Sequence, residues 1–253
     1  QPLFDLDDNR ISGFEALARW QHPVLGSIEP ATFVPVAEEA GLMIGLSDFV
    51  LRTACRQLAA WQRRDARFGE FDMHVNLSSI DIAHPSLEAR VKATLADAGV
   101  QPRHLTLEFT ENTLMQRIDG ALPALTRLRR SGVGLSVDDF GTGYSSLRHL
   151  SSLPVNELKL DRGFVADLER GAREEAVVQA IVMMGQSLGK LITAEGIETA
   201  EQLARLKQAG CKSGQGFFLS PPLAAEDVEQ LLQRMLSEVA PLSPSASAYA
   251  LVH

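Results

Sequence analysis

The sequence predicts an α/β fold, a modified TIM-type (β/α)8 barrel in which one strand runs antiparallel to its neighbour. Three observations predict it. Short β-like runs alternate with longer helical patterns along most of the chain, as parallel βαβ units require. A turn-rich segment near the start supplies a hairpin, and its two arms bring the strand count to eight. The length, 253 residues, suits one barrel of about 250 residues. Pattern alone also leaves an open doubly wound sheet standing.

The elements follow in order. Residues 3–6 and 13–20 flank Asp7-Asp8-Asn9-Arg10, a run of turn formers that predicts the hairpin. Strands are expected at 73–75, 105–107, 134–137, 158–160, 191–194 and 216–219, short apolar or β-branched runs between polar breaks. Helical spacing of apolar residues covers 47–64, 85–98, 114–130, 173–188, 200–208 and 225–235. No internal repeat and no central linker interrupts this order. From Ser237 the chain turns rich in Ser, Pro and Ala, so one domain is expected over 1–236 and a flexible tail over 237–253.

Composition narrows the function. Hydrophobic residues make up 45% of the chain, enough for one sizeable core, and no apolar run is long enough to span a bilayer. The first residue is Gln1, and no signal peptide is recognisable. The chain therefore reads as a cytoplasmic domain without membrane contact of its own, cut from a longer protein that an upstream part could anchor to a membrane. Cys55 and Cys211 are too few for a disulfide framework, which fits a reducing compartment. A net charge of −8 argues against polynucleotide binding. An acidic protein that binds phosphate needs local cations, and metals are the obvious ones.

Polar residues recur where strand-like runs stop: Asn76, Glu108, the pair Asp138-Asp139 and Glu195, with Lys159 inside a run. Strand parity puts Leu105, Leu107 and Phe109 on one face and Thr106, Glu108 and Thr110 on the other; likewise Glu157, Lys159 and Asp161 lie opposite Leu158 and Leu160. In a barrel the polar face points inward, and the C-terminal strand ends form the site. Carboxylates with an amide oxygen make a hard donor set suited to Mg²⁺ or Mn²⁺, and adjacent aspartates could serve two ions about 3.5–4 Å apart. Each residue has a plainer reading. Glu108 could cap a helix or face solvent in a turn, Asp138-Asp139 could belong to a capped loop, and Lys159 could snorkel from a strand end. Gly141-Thr142-Gly143 reads more readily as a turn than as a phosphate cradle.

Seven motifs name a family. Glu15-Ala16-Leu17 within FEALARW, Val75-Asn76-Leu77-Ser78, Leu107-Glu108-Phe109-Thr110-Glu111 and DDFGTGYSSL from Asp138 come first. Leu158-Lys159-Leu160-Asp161, Ala194-Glu195-Gly196-Ile197-Glu198 and Gly214-Gln215-Gly216 follow. In order and spacing the chain resembles the EAL-domain family from Gln1 to about Leu232. The resemblance implies hydrolysis of the bacterial second messenger cyclic di-GMP to linear pGpG, with two Mg²⁺ or Mn²⁺ ions. It implies that Glu15, Asn76, Glu108 and Asp138 bind one ion, that Asp138 is shared with Asp139 on the second, and that Glu195 belongs to the metal centre. It gives Lys159 the task of orienting the attacking water, Gln215 that of closing the site, and Glu111 that of anchoring the loop 140–147. It places Gln1, Leu17 and Arg19 against the dinucleotide, and it implies a homodimer and an upstream sensory or regulatory domain. Asn156 and Leu160 stand where the family more often has Asp and Ile, and Lys212 replaces a commonly acidic residue. The rival reading is a receptor that binds the dinucleotide without hydrolysing it. A scaffold would give the converging acids no purpose, and a barrel enzyme for another substrate would leave Gln1, Arg19 and the loop motif unexplained.

Overall fold

The structure is a computed structural model that describes residues 1–143 and 147–238. Strands β1 (Pro2–Asp5) and β2 (Arg10–Ala16) form the opening hairpin, turning through Asn9 in the left-handed region (φ 57°), which asparagine tolerates well. A second hairpin, β3 (Trp20–His22) and β4 (Gly26–Ile28), stands apart from the main sheet and leads into α1 (Pro30–Glu39) and α2 (Met43–Arg64). The repeating units then begin. β5 (Asp72–Asn76) is followed by α3 (Ser79–Ala83) and α4 (Leu87–Ala98), β6 (Leu105–Thr110) by α5 (Glu111–Arg130), and β7 (Gly134–Phe140) by α6 (Leu147–Ser152). β8 (Glu157–Leu160) precedes α7 (Arg162–Asp167) and α8 (Ala172–Ser187), β9 (Leu191–Ala194) precedes α9 (Ala200–Gln208), and β10 (Ser213–Gly214) is the last strand.

The main sheet closes into a barrel in the order β1-β10-β9-β8-β7-β6-β5-β2. β1 is antiparallel to both neighbours, while every other pair is parallel. The fold is the modified barrel the alternation predicts, and closure removes the open-sheet alternative. The compact unit holding the barrel runs from Gln1 to Pro222. A second unit begins at Leu223 and contains α10 (Ala225–Glu238), with Glu226 and Asp227 in its first turn, where acids suit the helix dipole. The tail expected over 237–253 lies, from residue 239 on, outside the described residues.

Two sequence expectations need correction. The last strand is Ser213–Gly214, not 216–219. Gly216 lies so close to the next segment that a Cβ there would stand 2.1 Å from the Ile197 nitrogen. The chain turns at that point, with the Phe218 amide donating to the Ile197 carbonyl (2.9 Å), and Phe217 and Phe218 emerge exposed. The strand expected over 13–20 ends at Ala16, and Trp20 opens β3 instead. Pattern also leaves α1 unmarked, because Pro30 and Pro35 break the helical period. Pro30 nonetheless sits in the first turn, where a missing N–H costs nothing.

Parity organises the core. Leu105, Leu107, Phe109, Leu158 and Leu160 are all buried, on the strand faces that pack under helices. The opposite faces fill the barrel with polar groups: His74, Thr106, Glu108, Ser136, Glu157, Lys159 and Thr193 are buried there. A barrel interior this polar must satisfy its own charges, and how it does so defines the site.

Candidate active site

The C-terminal mouth of the barrel collects side chains from five strands, β2, β5, β6, β7 and β8, and from the residues that follow β9 and β10. Lys159 of β8 is wholly buried, and its ammonium lies 3.0 Å from Glu15 Oε2, 2.9 Å from Glu108 Oε2, 2.7 Å from Glu195 Oε1 and 3.8 Å from Asp138 Oδ1. It is therefore no snorkelling surface lysine. Glu108 is inside β6 with no exposed surface; the cap of α5 is Thr110, whose hydroxyl accepts from the Thr113 amide. Asn76 Nδ2 donates to Glu15 Oε1 (2.7 Å). Gln215, just past β10, donates from Nε2 to Glu15 Oε2 (2.7 Å) and Glu195 Oε1 (3.0 Å). With its amide nitrogen turned to two carboxylates, its Oε1 is left buried without a partner among the described residues.

Adjacent residues on a regular strand face opposite ways, so Asp138 and Asp139 can share one site only if β7 is irregular. It is. The register of β7 against β8 shifts between Val137 and Phe140, and Asp139 takes a left-handed conformation (φ 52°). A bulge of this kind re-aims a side chain. The Asp139 amide donates to Asp138 Oδ1 (3.0 Å), and ligand atoms of Asp138, Asp139 and Glu195 all come within 4.8 Å of one another.

Beyond the bulge, Glu111 is buried at the first position of α5. Its Oε2 accepts from the amides of Gly141 (3.0 Å) and Gly143 (3.4 Å). Those N–H groups are thus engaged by protein, which makes Gly141-Thr142-Gly143 a held turn and not a free phosphate cradle. Gly141 has φ 98°, and a Cβ there would meet the Phe164 ring at 2.5 Å, so glycine is required on both counts. Residues 144–146 of the DDFGTGYSSL motif lie outside the described residues.

Gln1 stands opposite Glu15 at the same mouth, its carbonyl accepting from the Glu15 amide (2.8 Å) and its side-chain Nε2 donating to Ser220 O (3.1 Å). Leu17 is half-buried and Arg19 exposed on the segment leaving β2; Arg19 Nη1 reaches only the Ala18 carbonyl (2.9 Å) among the described residues. Of the residues that depart from the motif pattern, Leu160 is buried at the end of β8, while Asn156 and Lys212 lie at the other mouth. Asn156 Oδ1 accepts from the Leu135 amide (3.1 Å), and Lys212, just before β10, pairs with Asp7 in the opening turn (2.7 Å).

Charge at the upper mouth does not balance. Five carboxylates, Glu15, Glu108, Asp138, Asp139 and Glu195, face one ammonium. Burial disfavours ionised Glu15, yet Lys159, Gln215 and Asn76 outweigh it and hold its pKa near 2. Burial works against charge on Lys159 too, but Glu108, Glu15 and Glu195 keep it protonated, with its pKa well above the ordinary value. The remaining acids are left under-compensated. Burial, with Asp138 and Glu15 adding to it against the pull of Lys159, lifts Glu195 to about 8. Burial likewise raises Glu108 and Asp139. A set of hard oxygen donors with excess negative charge and one free buried carbonyl fits divalent cations.

Sequence reading passes over a second buried group. His74 Nδ1 lies 2.7 Å from Glu108 Oε1 and 3.7 Å from Glu157 Oε2, and Glu157 Oε1 accepts from the Thr193 hydroxyl. Its signal was parity: His74 is two residues before Asn76 and must share its inward face.

The sequence and fold match known proteins. Residues 1–222 match the family model described as EAL domain, and the chain belongs to the EAL-domain family. It is 43% identical over 228 residues to the bifunctional diguanylate cyclase/cyclic di-GMP phosphodiesterase MucR of Pseudomonas aeruginosa, covering 90% of this chain and 33% of that one. It is 41% identical over 241 residues to the cyclic di-GMP phosphodiesterase NbdA of the same organism, covering 95% and 30%. The solved PaMucR phosphodiesterase in its c-di-GMP complex superposes with a TM-score of 0.85 at 43% identity, covering 90% of this chain and 92% of that one. The chain spans about a third of the length of these curated relatives. Among the described residues no helix is long and apolar enough to cross a membrane.

Proposed function

We propose that this domain hydrolyses cyclic di-GMP to linear pGpG and so lowers the messenger's level. The observation that carries the reading is the unbalanced upper mouth, five carboxylates around Lys159, in a chain 43% identical to a phosphodiesterase solved with c-di-GMP. A binding module would have no need for so costly an excess of buried acids.

In this reading Glu15, Asn76, Glu108 and Asp138 would hold one divalent ion, Asp138 and Asp139 a second, with Glu195 belonging to the same metal centre. Mg²⁺ or Mn²⁺ suits the oxygen donors. Divalent ions bound there would supply a lowered pKa for water and positive charge to offset that developing on the phosphate. The protein's own part is positional. Lys159, fixed by Glu15, Glu108 and Glu195, donates a hydrogen bond to the attacking water's oxygen and so orients it. As the new O–P bond forms the water gives up a proton to solvent, and one ester P–O bond breaks, its ribose oxygen taking up a proton to leave as a hydroxyl. Gln215 fixes Glu15 and Glu195 relative to each other. Glu111 anchors the turn after Asp139, and Gln1, Leu17 and Arg19 line the approach for the dinucleotide. The domain works in the cytoplasm within a longer signalling protein, as a homodimer governed by an upstream sensory or regulatory module.

The test is to incubate the purified domain with cyclic di-GMP and follow pGpG with Mg²⁺, Mn²⁺, Ca²⁺ or excess chelator. Turnover is expected with Mg²⁺ or Mn²⁺, little with Ca²⁺, whose longer bonds and looser geometry fit poorly, and none in chelator. Tight binding without product under every metal would establish a receptor instead.

A further inference from the structure

We propose that His74 is a positioning residue that orients the Glu108 carboxylate from beneath the site, an inference that rests on the metal-dependent hydrolase reading above. Glu108 has no exposed surface and two oxygens to satisfy. Oε2 faces the Lys159 ammonium at 2.9 Å, and Oε1 lies 2.7 Å from His74 Nδ1. A carboxylate held at one oxygen can still pivot; held at both, its plane is fixed before any cation arrives.

The direction of the hydrogen bond follows from its surroundings. The two nearest acids, Glu108 and Glu157, face His74 on the same nitrogen, and ionised carboxylates only accept. Nδ1 must therefore carry the proton and donate it. Glu157 is itself fixed by the Thr193 hydroxyl. The result is a line of contacts, Thr193 of β9 to Glu157 of β8, past His74 of β5 to Glu108 of β6, and on to Lys159. Two pairs of neighbouring strands, β8 with β9 and β5 with β6, on either side of β7, thus fix one proposed metal ligand. Below it, His74 and Glu157 border a cavity of about 440 Å³ at the N-terminal mouth. Outer groups that orient a metal ligand typically contribute 10–100-fold in metal affinity or activity.

The alternative is that His74 merely fills the core. Substitutions separate the two, because an asparagine at this position presents its amide N–H close to where Nδ1 stands and a valine presents none. Mn²⁺ affinity is measured by electron paramagnetic resonance of the free ion, without substrate, alongside kcat and KM for cyclic di-GMP. His74→Val is expected to weaken Mn²⁺ binding about tenfold or more and to lower kcat with KM little changed. His74→Asn should recover most of both. Glu157→Gln, nearly isosteric, keeps the core filled while loosening His74, so a smaller shift in the same direction is expected even if His74→Val does not fold. Wild-type Mn²⁺ affinity and turnover in His74→Val would overturn the proposal, as would equal losses in His74→Val and His74→Asn. If no variant, wild type included, makes pGpG, yet Mn²⁺ affinity still follows the Nδ1 donor, the hydrolase reading fails and the positioning role stands.

Discussion

The two mouths of this barrel are built from the same strands and the same inward parity, yet they carry charge differently. At the N-terminal mouth acids and bases occur in near balance. Asp5, Asp72 and Glu157 share a cavity lining with Arg103, Arg129, Lys212 and His74, Asp72 meets His104 (3.1 Å), and Lys212 meets Asp7. At the C-terminal mouth five carboxylates, Glu15, Glu108, Asp138, Asp139 and Glu195, gather around Lys159, with His74 beneath Glu108 as a second cationic partner among the described residues. Polarity is thus common to both ends and marks neither. What distinguishes the upper end is charge left uncompensated by protein, an arrangement that costs stability unless something binds there.

The sharpest way to break this contrast is to remove one excess charge at the top. Asp138→Asn keeps the shape and the hydrogen bond from the Asp139 amide but deletes the charge proposed to be shared by two ions. Turnover should fall by more than the roughly 100-fold that loss of an outer group can cause, and the metal-free domain should unfold at an equal or higher temperature. Product formation within tenfold of wild type would show that Asp138 is not shared.

Much of this contrast is legible in sequence. Glu108, Lys159 and Glu157 could be placed inside the barrel by parity, because apolar partners such as Leu107 and Leu158 take the other face. Asp138-Asp139 resisted that reading, since strict alternation sends neighbours to opposite sides and only the bulge at β7 overrides it. Helix α1 and the last strand were obscured for local reasons. Two prolines interrupt the helical period of α1, and Gly216-Phe217-Phe218 has a strand's composition while the contact of Gly216 with Ile197 turns the chain. His74 went unmarked because a lone histidine carries no spacing signal, and its meaning comes from Glu108 on the next strand.

A middle-sized effect is expected at the bulge's exit. Glu111 is outside the proposed metal ligands and accepts from the loop amides of Gly141 and Gly143, which come just after Asp139 and Phe140. Glu111→Ala frees the turn while the barrel remains, and misplacement on the order of 1 Å can cost about 10²-fold in rate. We expect kcat to fall by about that factor, with a native circular dichroism spectrum. Glu111→Gln, which keeps one acceptor oxygen for the Gly141 amide, should retain more activity than the alanine variant. Equal activity in all three proteins would remove the loop anchor from the mechanism.

The smallest effect belongs to the lower mouth. Lys212 differs from the acidic residue common in the family, and its ammonium bridges both oxygens of Asp7 (2.7 and 2.9 Å) from the solvent-exposed end of the barrel. Asp7 favours the charged ammonium through a hydrogen bond and its own charge, which raises the Lys212 pKa. Exposed pairs of this kind contribute little, because water and salt screen them and two flexible side chains must be ordered. The ion pair also lies before β10, whereas the proposed site begins after it at Gln215, so the strand separates the two. Lys212→Ala should therefore leave kcat, KM and Mn²⁺ affinity at wild-type values, with no measurable change in the unfolding midpoint at high salt. Lys212→Glu is the harsher version, since it restores the family's sign of charge beside Asp7 and Asp5 and upsets the local balance. If the upper mouth functions through its own excess charge, Lys212→Glu too leaves turnover unchanged and lowers only the low-salt unfolding temperature, slightly. A change in Mn²⁺ affinity in either variant would mean that the two mouths are electrically coupled through the polar interior, and the contrast between them would have to be redrawn as one continuous field.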